Sequence, residues 1–480
     1  VHSLAKLDRQ YVWHPFTQMR DWLKSEPIVI TKGKGAVLED VHGRKYLDAN
    51  SSIWTNLHGH NHPKLSAAIN AQLLKIAHSS ALGLANEPAS LLARELVDAA
   101  NRPNLPRLGK VFYSDDGSTA MEVALKLAYE FTWRSGRSKT PRFLSLQGAY
   151  HGDTIGAVSL GHIDLFHKSY RGLLFKTDSV PSPYCYRCPH NRAKPDRADA
   201  REYRKCNWEC VDEVEKRFKA RRRQDNPYAA MVVEPLIQGA AGMIPQPGGW
   251  LKRVDQIVRQ DGALLVADEV LTGFGRTGVP RGRSLFACHH EQVQPDLMAL
   301  AKGMTGGYLP MAATLVTQKI FDAFLGEYSE FKAFFHGHSY TANQLGSAAS
   351  LTSLELLQST ASVLSRITLQ HALSENLARL WQLPHVGDIR QVGLIAGIEL
   401  VKDWRTRERF PLRDRVGARV CEAMARRGVL TRPIGDVIVI MPPYCTTPTQ
   451  VETIVSALVS AISQVLGVAR ATKRKPVALK

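Results

Sequence analysis

No stretch of the 480-residue chain approaches 18 consecutive apolar residues, which argues against a membrane-spanning helix. The start, Val1-His2-Ser3-Leu4-Ala5-Lys6, lacks the apolar run of a secretory signal, so the expected location is cytoplasmic. Cysteines are few and odd in number, seven, and a disulfide scaffold is not expected. Repeats and low-complexity blocks are also missing. Acidic residues are outnumbered, 44 Asp and Glu against 62 Lys and Arg, for a net charge of +18. Such an excess is the footprint of nucleic-acid binders. Much of it, however, sits in peripheral runs, Arg217 to Arg223 and Arg470 to Lys480, which usually are solvated faces or tails. Neither nucleic acid nor membrane is therefore expected as a partner, and small anions would be drawn to the surface.

What is present is a composition close to that of ordinary globular proteins, 44% hydrophobic and 22% charged, enough for a sizeable core. The length suits two or three domains, or one large core with appendages. From about Val111 short apolar strands alternate with longer amphipathic stretches, the signature of βαβ units and a mainly parallel sheet. The readable strands are Lys110–Tyr113, Arg142–Leu146, Ala230–Glu234, Ala263–Ala267 and Leu297–Ala301, most of them apolar on both faces. After about Ser347 a long helix is expected toward Leu380. A smaller α+β unit follows, with strands over Val392–Leu400 and Val437–Met441. The organisation read here is an N-terminal segment, 1–50, that packs with the small domain, and a large α/β domain, 51–359. A small C-terminal domain, 360–468, and a basic tail, 469–480, complete it. A Cys- and Arg-rich insertion, 181–225, interrupts the alternation.

Ligands of open α/β sheets gather at the carboxyl ends of the strands, and three ends here are chemically loaded. The first strand runs into Ser114-Asp115-Asp116-Gly117-Ser118-Thr119 and a good helix former from Ala120 to Glu130. Gly, Ser and Thr at a helix N-terminus can cradle a phosphate, although an ordinary N-cap needs the same residues. Asp268 ends an apolar strand and wants a cationic partner. Lys302 follows another such strand; in a dry pocket its amine loses its proton readily and becomes a nucleophile. Either residue alone fits half of a structural ion pair. Together the three fit pyridoxal phosphate, which needs a lysine for its aldehyde, an acid opposite its pyridinium nitrogen and an anion site. Tyr150, in Tyr150-His151-Gly152-Asp153, can stack on a ring or simply pack.

The chain resembles the class III pyridoxal-phosphate aminotransferases of fold type I. The resemblance rests on Asp268-Glu269-Val270-Leu271-Thr272-Gly273-Phe274-Gly275-Arg276-Thr277-Gly278, with Lys302 beyond it, and extends from about Trp13 to Leu466. It implies a large domain with a mainly parallel seven-stranded sheet covered by helices, plus a smaller α+β domain. Within the class the chain is most similar to the branch acting in biotin biosynthesis. The segments that carry this are Trp13 to Met19, Ser51-Ser52-Ile53-Trp54, Tyr150 to Ala157, His336-Gly337-His338-Ser339-Tyr340-Thr341 and Thr431-Arg432-Pro433-Ile434-Gly435.

That similarity implies transamination of 8-amino-7-oxononanoate to 7,8-diaminononanoate with S-adenosylmethionine as amino donor. The alternatives are L-lysine as donor, or another class III ω-aminotransferase activity. It also implies site residues. Lys302 would hold the cofactor aldehyde, Asp268 would pair with its pyridinium, and Gly117 and Ser118 would hold its phosphate. Tyr150 would lie against the ring. His338 and Ser339 would reach the phosphate from a neighbouring subunit, making the functional unit a homodimer. Gly337, Trp54, Ile53 and Phe16 would line the substrate pocket, and Arg432 would grip the carboxylate at the far end of the substrate chain. Members that use S-adenosylmethionine carry Tyr where Phe16 stands and a second Trp where Ile53 stands. Cys185-Tyr186-Arg187-Cys188 and Cys206-Asn207-Trp208-Glu209-Cys210 have spacing that could hold a structural zinc; reduced thiols in a loop, with no metal, is the other reading.

Overall fold

The apolar runs fold into strands β1 (Ile30–Lys34), β2 (Val37–Asp40), β3 (Lys45–Asp48), β4 (Leu108–Ser114), β5 (Arg142–Leu146), β6 (Asp178–Val180), β7 (Tyr228–Val233), β8 (Ile237–Gln238) and β9 (Ile244–Pro245). They continue as β10 (Leu264–Asp268), β11 (Leu297–Leu300), β12 (Ala312–Thr317), β13 (Val386–Val392), β14 (Ile395–Leu400), β15 (Val429–Leu430), β16 (Pro433–Ile434) and β17 (Val437–Ile440). The computed structural model describes residues 2–467 apart from 104, 106 and 280–283. The basic tail expected over 469–480 lies outside the described residues.

Seven strands form the central sheet in the order β4-β12-β11-β10-β7-β5-β6. All run parallel except β12, which is antiparallel to both neighbours. Side chains alternate between the faces, as the pleat requires. Ala230, Val232, Leu264 and Val266 pack under the helix Gly117–Arg134, while Met231, Val233, Leu265 and Ala267 meet Val214, Phe218, Trp250 and Val254 on the other side. The α/β fold with a mainly parallel seven-stranded sheet is the one expected. Its parallel strands bring Ser114, Leu146, Val233, Asp268 and Leu300 to one edge.

Three local expectations need correction. The strand expected over Val392–Leu400 is β14, which starts only at Ile395, and an unexpected strand, β13, precedes it and pairs antiparallel with it across a turn at Gly393 with a φ of 59°. Buried Asp388 and Arg390 in β13 hide it from an apolar pattern search. The long helix toward Leu380 is two, Gln344–Gln358 and Thr360–Ala378, because Ser359 caps the second by accepting from Ser362 N. The insertion ends earlier than 225: Glu209–Arg223 is the crossover helix between β6 and β7. Its basic run is partly neutralised, Arg221 by Asp178 and Arg222 by Asp261.

The second antiparallel sheet, β13-β14-β17-β16, belongs to the C-terminal part, and a third sheet joins β1, β2 and β3 to β15. The first fifty residues thus share a sheet with the last sixty. The helix Pro448–Leu466 is long and apolar enough to cross a membrane. Here Val451, Ile454, Val455, Leu458 and Ile462 are buried in the C-terminal core, which the sequence estimate of apolar runs did not anticipate.

Two buried arginines bind these parts together. Arg276 donates to Pro442 O (2.9 Å) and Asn56 O (3.0 Å) and lies over the Tyr444 ring. Arg276 O accepts from Leu394 N, so the Gly275–Gly278 motif docks on the Gly393 turn. Arg390 donates from Nε and Nη2 to Gly242 O, and from Nη1 to Tyr184 Oη (2.6 Å), Asp388 (2.9 Å) and Glu399 (2.7 Å). Burial raises Asp388 to about 7. Burial would raise Glu399 as well, but Arg390 and Arg187 hold it at about 2. Removing one member of such a network strands the other charges. Arg390→Met is expected to cost about 3–5 kcal/mol, read as a lower denaturation midpoint. Adding Glu399→Gln should recover part of that loss; full stability of Arg390→Met would show that the network carries no net energy.

Candidate active site

The C-terminal edge of the central sheet opens into a cavity of about 450 Å³. Trp54, Asp115, Asp116, Gly117, Ser118, Tyr150, His151, Glu234, Gly239, Asp268, Lys302 and Leu309 are among the residues lining it. The structure thus brings together Trp54, Gly117, Ser118, Tyr150, Asp268 and Lys302 from five separate places in the chain.

Asp116 caps the helix Gly117–Arg134. Its carboxylate accepts from Thr119 N (2.9 Å) while the Thr119 hydroxyl accepts from Asp116 N (2.9 Å). This reciprocal cap satisfies the third turn residue. Among the described residues, the N–H groups of Gly117 and Ser118 keep no protein acceptor, as first-turn groups do when nothing caps them. Ser118 Oγ accepts from Asp153 N (3.1 Å). The loop can close so near only because residue 152 is glycine: a Cβ there would lie 1.9 Å from Ser118 Oγ. Gly152 also has a φ of 118°. A Cβ on Gly117 would press on Val270 at 2.8 Å.

Asp268 is buried at the end of β10. Its Oδ1 accepts from Val270 N (3.1 Å), and its Oδ2 lies 2.7 Å from Nδ1 of the buried His151. Burial works to lower the His151 pKa, but the hydrogen bond and charge of Asp268, aided by Glu234, carry it above the usual imidazole range. Glu234, just past β7, is raised to about 7 by burial, although it accepts from Gly239 N (2.8 Å) and Tyr150 N (3.3 Å). The Lys302 amine reaches the cavity 5.4 Å from the Trp54 ring centroid. Burial lowers its pKa, and the charges of Asp268 and Glu234 only partly oppose this. Lys302 itself adopts a φ of 44°, a left-handed conformation rare for a side chain with a Cβ.

Trp54 ends a left-handed turn, since Ser51, Ser52, Ile53 and Trp54 all have φ between 48° and 68°. Such a run is unfavourable for L-residues and is held by many bonds. Asp48 accepts from Asn50 N, Ser52 N and Ser52 Oγ and meets His60 at 2.9 Å. Ser51 Oγ donates to Met441 O, and Trp54 Nε1 to Asn50 Oδ1.

Six expected site residues lie outside the cavity lining of a single chain. Phe16 and Ile53 are exposed near its mouth residues. Gly337 and Ser339 are exposed, and His338 Nδ1 lies 4.0 Å from Asp115. Arg432 is exposed, just before β16. Two residues that sequence reasoning left without a role are His151 and Glu234. Glu234 carries the same signal as Asp268, a carboxylate ending an apolar strand. The four insertion cysteines cluster. Burial, with the neighbouring sulfurs, pushes the Cys185 and Cys210 thiols up to about 12. Among the described residues no group of His, Cys, Asp and Glu is arranged to hold a metal ion.

The donor set fits pyridoxal phosphate: unpartnered N–H groups at a helix start, a buried carboxylate, and a lysine with a lowered pKa. Residues 19–462 match the family described as aminotransferase class-III. The chain is 47% identical over 467 residues to the adenosylmethionine-8-amino-7-oxononanoate aminotransferase of Geobacter sulfurreducens, covering 97% of this chain and 99% of that one. It superposes with a TM-score of 0.87 on the crystal structure of the enzyme of that name from Methanocaldococcus jannaschii, 39% identical, over 96% and 98% of the two chains. An amine transaminase from an uncultivated Pseudomonas species, solved in its PLP-bound form, gives 31% identity and a TM-score of 0.85 over 95% and 99%.

Because Glu234 binds its proton more tightly when folded, the native state holds more protons than the unfolded chain between pH 4.5 and about 7. Stability should therefore fall as pH rises through that window, by about 3 kcal/mol at full effect. Glu234→Gln should flatten the slope in pH-dependent denaturation; an unchanged slope would assign it elsewhere.

Proposed function

The chain belongs to the class III aminotransferases, and we propose that within them it converts 8-amino-7-oxononanoate to 7,8-diaminononanoate, taking the amino group from S-adenosylmethionine. The observation that carries this reading is the meeting of Lys302, Asp268, Gly117 and Ser118 in one cavity walled by Trp54 and Tyr150. The cytoplasm is the expected site of action.

When bound, pyridoxal phosphate supplies an aldehyde that takes up the donor's amino group and a protonated ring that withdraws electrons from the reacting carbon. Gly117 and Ser118 would hold its phosphate at the positive end of the helix Gly117–Arg134. Asp268 would face the ring nitrogen, its carboxyl group oriented by the His151 hydrogen bond. Tyr150, which lines the cavity, would pack against the ring. Lys302, its pKa lowered by burial, carries an amine able to remove a proton from the donor carbon and return it to the other side of the reaction. The Trp54 ring lies over the amine, its centroid 5.4 Å from Lys302 Nζ.

An apolar cluster backs the cavity wall at Leu271 and Trp54, the two of its members that line the cavity. Ile237, Met243, Leu271, Val439 and Met441 form one cluster, with Trp54 packed at its edge and Ile434 at another. Arg432, two residues before Ile434, then meets the acceptor's carboxylate. A homodimer completes the site: the Gly337-His338-Ser339 segment, with Gly337, Ser339, Phe335 and Tyr340 exposed, comes from a second copy. The exposed aliphatic Ile53 favours a second reading, lysine as donor, because lysine needs no stacking face there.

Mixing holoenzyme with S-adenosylmethionine should remove its yellow colour, and adding 8-amino-7-oxononanoate should restore it and yield the diamine by mass spectrometry. Bleaching by lysine alone would replace the donor, and no diamine with either donor would overturn the reading. Lys302→Ala should bind cofactor without sustained turnover. Arg432→Met should raise the KM for the acceptor about tenfold or more while changing kcat little.

A further inference from the structure

An aromatic ladder climbs out of the cavity through a residue that neither the motifs nor the mechanism uses. Tyr150 lines the cavity and meets Phe166 at 6.3 Å between ring centroids, nearly edge-on at 80°. Phe166 in turn meets Phe16 at 5.2 Å and 70°. His167 lies parallel to Tyr150, at 6.5 Å and 11°, and is buried. Phe16 is 60% exposed, so the ladder runs from the cavity wall to solvent.

Both outer rungs are held in place. Phe16 has a φ of 49° and sits in a turn clamped by Asp8, whose carboxylate lies 2.9 Å from His14 Nε2 and accepts from Trp22 Nε1. The His14 and Trp22 rings pack at 4.2 Å. Phe166 lies in the short helix Asp164–His167, fixed from below by the buried His167, whose N–H donates to Ile163 O.

Aromatic pairs often do no more than fill space. A packing role alone does not account for a largely exposed Phe16 kept in a strained turn with its ring set almost perpendicular to Phe166. Two rings at this angle make a corner that accepts a flat heterocycle, face against one ring and edge against the other. Carboxylates lie beside this wall: Asp115 and Asp116 line the cavity, and Asp153 accepts from the Tyr150 hydroxyl (2.7 Å). They complement a cationic donor. The exposed aliphatic Ile53 offers no stacking face, and Phe166 supplies one.

We propose that Phe166 determines amino-donor specificity: with Phe16 it forms the corner that receives the purine of an adenosyl donor. The inference rests on the S-adenosylmethionine reading above.

The two half-reactions provide the test. Holoenzyme is mixed with S-adenosylmethionine and the loss of yellow colour gives the donor KM; the aminated enzyme is mixed with 8-amino-7-oxononanoate and the return of colour gives the acceptor KM. Binding of 5′-methylthioadenosine, which keeps the purine but has no amino group to transfer, is measured by calorimetry. Phe166→Ala should raise the donor KM and weaken methylthioadenosine binding about 5- to 150-fold, the range expected for one base–aromatic stack. The acceptor KM should stay within about twofold, and Phe166→Tyr should restore donor binding. Equal losses in both half-reactions, or no loss of methylthioadenosine binding, would overturn the role of Phe166 while leaving the donor intact. Wild-type enzyme that is bleached by lysine but not by S-adenosylmethionine would overturn the donor reading and this inference with it.

Discussion

The hydrogen bond between His151 Nδ1 and Asp268 Oδ2 joins the two halves of the site. A carboxylate at the end of a fully apolar strand is costly to bury alone. His151 and the Val270 N–H share that burden by bonding its two oxygens. The pair ties the Tyr150–Asp153 loop to β10. That loop also touches Ser118 and, through Tyr150 N, Glu234. Disturbing this one contact would move Ser118, Tyr150 and Asp268 together.

Around it stands a second layer whose work is to fix backbone. The left-handed turn at Ser51–Trp54 is unfavourable on its own and persists because Asp48, Asn50 and Met441 O bond it from three sides. Met441 follows β17, so the wall of the cavity leans on the C-terminal part of the chain. Arg276 and Arg390 make the same kind of bridge, each reaching a carbonyl far away in sequence, Pro442 O and Gly242 O. The Gly-Phe-Gly-Arg-Thr-Gly stretch that identifies the class is therefore a docking element. Its arginine is wholly buried and lies outside the cavity lining.

The electrostatics follow from burial more than from net charge. Of the many basic residues, several sit in ion pairs on the crossover helix or in the Arg390 network, away from the cavity. Inside the cavity the balance turns on Lys302, Asp268, Glu234 and His151. Low solvent access raises Glu234, lowers Lys302, and makes every remaining interaction among them stronger. These are the conditions under which an amine can cycle a proton near neutral pH.

The sequence by itself determined the elements whose signals are local. Strands buried on both faces read as apolar runs, the Asp116-to-Thr119 cap reads as a helix start, and Asp268 and Lys302 stand out because a charge ending such a strand has few explanations. Less legible were features that depend on which distant segments become neighbours. Strand β13 was hidden because Asp388 and Arg390 neutralise each other only after folding. Glu234 and His151 gain their significance from the order of β5, β7 and β10 in the sheet, which no local pattern encodes. Phe166 has no motif around it; only the close approach of residues 16, 150 and 166 makes it part of the mouth. Local chemistry fixes what each residue can do, while contacts across a long chain, set by sheet order and domain docking, fix which residues do it together.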